Sequence, residues 1–179
     1  ERTELNVSQA SVRGSDAPPP CISRQPGGPV RLDRAGNILT NHAVTNREIK
    51  VFGGEQMRPN IHIEDMAEFY IKSLEWPDSA IDGKVYNVGY HNHKVSEIAD
   101  IVRGVVGEDV EVVTTSTDDT RSYHVSSDKL KHDLGFVAGR TLEDAVRDLV
   151  VAFRRGRIPN SMTDDRYYNI KRMQNVSLR

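Results

Sequence analysis

The sequence predicts an α/β fold on three observations. Strand and helix signals alternate from about residue 37 onward, one well-formed amphipathic helix stands near the C-terminus, and no internal repeat is visible.

The stretch Gly14 to Gly36 stands apart: Pro18, Pro19, Pro20, Pro26 and Pro29 sit among Gly and Ser, and no helical or strand period survives. That composition marks a loop or disorder. Before it, Leu5, Val7 and Val12 are a weak strand candidate. Regular structure starts at Asn37, with a short helix through Ile38, Leu39, His42 and Ala43. Ile49 to Phe52 follows as a strand closed by Gly53-Gly54, then Ile61 and Ile63 alternate with polar residues as a brief strand. Met66, Phe69, Tyr70, Ser73 and Leu74 fall at helical spacing until Pro77 stops the run. Val85 to Val88 reads as a strand ending at Gly89. Val95, Ile98, Val102, Val105 and Val106 mark one face of a helix that Gly107 terminates. Val110, Val112 and Val113 suggest another strand, and Ser126 to Leu134 a short helix. The strongest element runs from Leu142 to Arg155, where Leu142, Ala145, Val146, Leu149, Val150 and Phe153 recur at offsets of three and four. Thr141 is its expected N-cap, Glu143 and Asp144 suit the positive helix end, and Arg154, Arg155 and Gly156 suit the other.

A chain of 179 residues can bury one real core and at most a small second lobe. Its apolar fraction of 37%, charged fraction of 28% and net charge of -2 are ordinary for a soluble protein and give no global reason to expect nucleic acid or membrane as partner. No apolar run approaches the roughly 20 residues that span a bilayer, and Glu1 to Ala10 has no signal-peptide pattern. Cys21 is the sole cysteine, so an intrachain disulfide is impossible and a reducing, cytoplasmic setting is the expectation.

The run Val51-Phe52-Gly53-Gly54-Glu55-Gln56-Met57-Arg58-Pro59-Asn60-Ile61-His62-Ile63-Glu64-Asp65-Met66-Ala67 carries a resemblance. It is similar to a segment of the extended short-chain dehydrogenases/reductases, the NAD-dependent nucleotide-sugar epimerases and dehydratases. There a Gly-rich turn precedes an Arg, an apolar-His-apolar strand and an acidic helix start. Val85-Tyr86-Asn87-Val88-Gly89, Ser126-Ser127-Asp128-Lys129-Leu130 with Leu134-Gly135-Phe136, and Thr141-Leu142-Glu143-Asp144 follow in that family's order. The resemblance covers the chain from about Asn37 to its end. It implies the C-terminal part of an extended Rossmann-type epimerase fold, lacking the N-terminal dinucleotide-binding half.

In that family the Arg ahead of the strand contacts the substrate's diphosphate, and Arg58 holds the matching position. A guanidinium offers a planar fork of donors to two phosphate oxygens and stays charged at neutral pH. The alternative is a surface arginine, exposed or paired with Asp65. Arg121 is the candidate for a second diphosphate contact, against a salt bridge to Asp118 or Asp119. His62, Glu64, Asp65, His91 and His93 are read as structural, the two last in a polar loop, and no metal is expected. Tyr90 with Lys94 and Tyr167 with Lys171 reproduce the family's catalytic Tyr-Lys spacing, but neither pair is expected on one long helix after a Rossmann half. No catalytic residue is therefore assigned.

The three-glycine dinucleotide fingerprint is absent from these residues, and Gly104 and Gly107 sit at the end of a helix where they cannot cradle a pyrophosphate. The expectation is a chain that binds no cofactor alone, NAD or NADP being implied for an intact family enzyme, and whose ligand is a nucleotide-sugar. Three regions are expected: an altered, Pro/Gly-rich segment over 1–36, a substrate-binding α/β region over 37–156, and a basic tail over 157–179. The alternative is a non-catalytic interaction module that self-associates or docks on a partner supplying the missing half.

Overall fold

The computed structural model describes residues 30–176. In chain order these form α1 (Ala35–Asn46), β1 (Glu48–Phe52), β2 (Met57–Asn60), α2 (Ile63–Ser73), α3 (Asp78–Ile81), β3 (His91–Lys94), α4 (Val95–Val106), β4 (Glu111–Thr115), α5 (Asp128–Leu134), α6 (Leu142–Arg154), a 3-10 turn at Asp165–Tyr167, and α7 (Asn169–Val176). The expected strand through Leu5, Val7 and Val12, Cys21, and most of the Pro-rich stretch lie outside the described residues.

Two small ladders organise the chain. β1 and β4 pair in parallel, Glu48 opposite Glu111 through to Phe52 opposite Thr115. A parallel return needs a crossover, and α4 leads into it. Along β1, Ile49 and Val51 are buried while Lys50 and Phe52 are exposed, so one face of this pair is covered. Its cover is Leu39 and Ala43 of α1, Ile98, Ala99 and Val102 of α4, and Leu142, Val146 and Val150 of α6. Periodic apolar positions of α4 and α6 thus meet in the core that covers β1. α6 starts where its capping residues place it: Thr141 Oγ1 accepts from the Asp144 N–H at 3.2 Å, and Asp144 returns the bond to the Thr141 N–H at 3.0 Å.

β2 and β3 pair antiparallel, Met57 opposite Lys94 and Asn60 opposite His91. This corrects two expectations. His91 to Lys94 is a strand rather than a polar loop. The strand expected through Ile61 and Ile63 is instead the short junction after β2 and the start of α2. His62 caps that helix, its Nδ1 accepting from the Glu64 N–H at 3.2 Å, and a capped start ends the strand alternation. Val85 to Val88 enters no ladder among the described residues, although Tyr86 is buried against Phe69, Leu130 and Phe136 in a second core. Phe69 there meets Phe136 edge-on at 5.4 Å and Trp76 at 5.6 Å between ring centroids.

The segment after α6 is not a solvated tail throughout. Ile158, Tyr167 and Tyr168 are buried with Leu32 and Leu149 in a third cluster, and the Leu32 N–H donates to the Tyr167 carbonyl at 2.8 Å. α1 begins at Ala35, inside the stretch read as loop, with Gly36 and Asn37 buried in it. No helix of the described residues is long and apolar enough to cross a membrane.

Candidate functional site

Arg58 sits mid-strand in β2, held extended because the residue before a proline is driven out of the helical region. The turn that delivers it is built on Gly53 and Gly54, whose φ values of 79° and 113° lie where side chains are strained. A Cβ on Gly53 would also fall 2.5 Å from the Gln56 amide and 2.7 Å from Thr117 Cγ2. That room is taken by Gln56. Its Oε1 accepts from the Gly54 N–H at 2.8 Å, and its Nε2 donates to the Asp119 carbonyl at 2.9 Å. The turn is thereby tied to the segment that carries Arg121.

That segment runs along β2. The Met57 N–H donates to Ser122 Oγ at 2.9 Å, and the Tyr123 N–H donates to the Met57 carbonyl at 3.0 Å. Further on, Asn92 of β3 exchanges two hydrogen bonds of 2.9 Å with the main chain of Val125. The two arginines are consequently neighbours. Arg58 Nη1 donates to the Arg121 carbonyl at 2.7 Å and to its neighbour Met57 at 2.9 Å, with its guanidinium carbon 5.3 Å from the centre of the Tyr123 ring. Nε and Nη2 of Arg58 make no hydrogen bond to the described residues. Asp65, the alternative partner for Arg58, is engaged elsewhere, with Arg140 at 2.6 Å.

Arg121 is placed differently. Its Nε and Nη2 donate to the two carboxylate oxygens of Asp119 at 2.8 and 2.9 Å, and its N–H adds a bond of 3.1 Å. The Arg121 side-chain bond, its N–H and the charge of Arg58 together hold the Asp119 carboxyl well below the usual carboxylate range. Of the sequence alternatives for Arg121, the pair with Asp119 is formed. The pair is exposed, so it is weak and exchangeable.

Two clefts flank this segment. One of about 330 Å³ opens beside Gly53, Gln56, Thr117 and Asp119. The other, about 410 Å³, lies past Val125 and is lined by Tyr90, His91, His124, Ser126, Lys131 and Phe136. Of the histidines, His93 is half-buried with Nδ1 3.2 Å from the Asn60 side-chain amide, and burial followed by the charge of His91 pushes its pKa down. Among the described residues no three His, Cys, Asp or Glu side chains are grouped to hold a metal ion. Neither Tyr-Lys pair shares a helix. Tyr90 precedes β3, and Lys94 Nζ pairs with Glu55 at 2.7 Å. Tyr167 is buried in the 3-10 turn, while Lys171 on α7 covers the Tyr168 ring.

Sequence reasoning missed Gln56, Ser122, Tyr123 and Asn92. Gln56 alone had a local signal, lying between a glycine turn and Arg58. The others are defined by partners distant in sequence.

Residues 28–89 match the NAD dependent epimerase/dehydratase family. Among solved structures, the chain is similar to UDP-glucose 4-epimerase of Thermotoga maritima, crystallised with UDP-glucose, at 24% identity and a TM-score of 0.58 over 68% of this chain and 40% of that one. It is similar to ADP-L-glycero-D-manno-heptose-6-epimerase of Helicobacter pylori at 26% identity and a TM-score of 0.56, over 65% of this chain and 36% of that one. UDP-glucuronic acid 4-epimerase of Bacillus cereus, in complex with UDP-glucuronic acid and NAD, gives 20% identity and a TM-score of 0.61, over 72% and 42%. The chain therefore spans less than half the length of each of these three structures. The α/β fold with a parallel strand pair is shared with them.

Proposed function

We propose that this chain, whose sequence carries the NAD dependent epimerase/dehydratase pattern, is the substrate-side portion of a nucleotide-sugar epimerase/dehydratase and binds the nucleotide diphosphate through Arg58 and Arg121. The observation that carries the reading is the state of Arg58. One nitrogen is fixed by two carbonyls while the remaining edge of the fork makes no hydrogen bond to the described residues. A fixed guanidinium with donors in reserve suits a bidentate anion, because little rotamer freedom is left to lose on binding. Arg121 joins by exchanging Asp119 for a phosphate oxygen. The ligands named for the Thermotoga maritima and Bacillus cereus structures, UDP-glucose and UDP-glucuronic acid, belong to the same class.

The described residues do not fit a nicotinamide dinucleotide. Such a site needs a glycine turn that opens a helix directly after a parallel strand. Here β1 ends in Gly53-Gly54 but leads into β2, β4 leads to α5 without a glycine, and Gly107 caps the end of α4. On this reading the chain binds no cofactor alone and is not catalytically competent alone. NAD or NADP, which supplies reversible hydride transfer in a whole enzyme, is held by other parts of it.

Calorimetry with UDP tests the proposal. Arg58→Ala removes a charge-assisted bidentate contact and is expected to weaken binding by roughly 10- to 100-fold. Equal affinity of the two proteins, or no binding by the native chain, overturns it.

A second reading, an interaction module, is favoured by one observation. Val85 to Val88, with a β-branched residue at each end, joins no ladder among the described residues, and Val85 and Val137 are exposed. Unpaired strand edges invite pairing with another chain. Light scattering decides: self-association of the chain supports this reading, and a clean monomer opposes it.

A further inference from the structure

The segment bearing Arg121 and Tyr123 is held against β2 by Met57 and against β3 by Asn92, and the second attachment has a specific chemical reason. Met57 pairs with Ser122 and Tyr123 along one edge of β2. The next residue on that edge is Pro59, which has no N–H to continue the pairing. Directly opposite Pro59 in the β2–β3 register stands Asn92. Its side-chain amide donates to the Val125 carbonyl and accepts from the Val125 N–H, both at 2.9 Å. A carboxamide thus performs for Val125 the paired donor-acceptor role that a strand main chain would perform. The bond closes a gap that the proline opens.

The consequence reaches Arg58. Its Nη1 is fixed by the Arg121 carbonyl, and the Tyr123 ring lies against its guanidinium. Both belong to the segment that Gln56 pins at Asp119 and Asn92 pins at Val125. We propose that Asn92 is a positioning residue of the diphosphate site, setting the orientation of Arg58 through the Arg121–Tyr123 segment. This rests on the diphosphate reading given above.

The test uses Asn92→Asp and Asn92→Ala in the full chain, with UDP as the probe. The aspartate is nearly isosteric and still accepts from the Val125 N–H, but when ionised it cannot donate to the Val125 carbonyl. UDP affinity is expected to fall roughly tenfold near neutral pH, the usual effect of leaving a bonded carbonyl unmatched. As the pH is lowered toward the carboxyl range the protonated acid regains a donor, and the variant recovers toward the native protein measured at the same pH. Asn92→Ala has no such recovery. His91, His124, Asp128 and Lys131 line the adjoining cleft with Asn92. Their own titration is common to all three proteins and cancels in the ratio.

Hydrogen exchange of the Val125 amide gives a ligand-free readout, expected to lose protection in Asn92→Ala while the α4 and α6 amides keep theirs. Unchanged protection overturns the proposal, as does native UDP affinity in Asn92→Asp across the pH range. Failure of the native chain to bind UDP sinks the diphosphate reading itself and is seen separately, in the protein without a substitution.

Discussion

Asp65→Ala should be among the most damaging single substitutions in the chain. Asp65 lies in the first turn of α2 and is only 2% exposed. Its Oδ2 accepts from the N–H groups of Gly139 and Arg140 at 3.1 and 2.9 Å, and its Oδ1 from Arg140 Nη1 at 2.6 Å. The carboxylate therefore ties the start of α2 to the loop that enters α6, joining residues 74 and 75 positions apart in sequence. Hydrogen bonds to a charged group are worth about 1.5–3 kcal/mol each. The Arg140 contact is left uncounted, because that side chain is well exposed and also reaches Glu64 at 2.8 Å. Two main-chain bonds, discounted for water entering the vacated site, give about 2–4 kcal/mol. For a chain of this size that corresponds to a fall in Tm of roughly 5–15 °C. Urea and thermal unfolding, followed through the fluorescence of Trp76 in the neighbouring aromatic cluster, measure it. Arg140→Ala keeps both main-chain bonds and should cost less than half as much. A loss in Asp65→Ala of under about 0.5 kcal/mol, the level of an ordinary surface change, would refute the reasoning.

Two further outcomes follow from the same geometry. Thr141→Ala removes the acceptor for the Asp144 N–H at the head of α6 and should lower stability by about 1 kcal/mol, with Thr141→Ser near native; equal Tm values for all three proteins would show that the cap contributes nothing. His93 and His42 are both pushed below the ordinary 6.5, His93 by burial and then His91, His42 by burial and then Lys50. Since the unfolded chain then binds more protons than the folded one, their contribution is whole above about pH 6.5 and is lost as pH falls through that value toward the folded pKa. Tm should be lower at about pH 5.5 than at about pH 7.5, and less so in His93→Gln. A flat profile contradicts this.

What the sequence made legible tracks the source of each element's stability. α4, α6 and β1 bury regular apolar faces in one core, so their periods are visible before any partner is known, while β4 shows itself as a short β-branched run. β3 has no such face. His91, Asn92, His93 and Lys94 become a strand because β2 supplies the ladder, and pairing leaves no mark on local composition. The start of α2 was misplaced because a histidine caps it, outside the usual Ser, Thr, Asp and Asn. Ile158, Tyr167 and Tyr168 follow no period, yet they bury against Leu32 and Leu149. In the candidate site the charged residues were recognisable by type and motif. The bonds that hold the Arg121 segment were not, since Gln56 reaches a carbonyl 63 residues away and Asn92 a main chain 33 residues away, even though Gln56 lies beside a glycine turn.

On the diphosphate reading proposed above, the two arginines differ in a way that orders their use. Arg58 is fixed from behind by carbonyls, so an arriving diphosphate meets donors already aimed and displaces no acid from them. Arg121 is held by Asp119, and that carboxylate also faces Arg58 closely enough to be stabilised by its charge. Asp119 therefore opposes the first contact and must yield for the second. Because the pair is solvent-exposed, its hold on Arg121 is weak compared with what two phosphates in reach of both guanidinium groups provide. On that reading Arg58 is the residue on which affinity depends, and Arg121 is a clamp that closes after the anion has arrived. On the same reading, the bonds of Gln56, Met57 and Asn92 to the Arg121 segment keep its main chain in place. A clamp that exchanges partners is useful only if its main chain stays in place while its side chain moves.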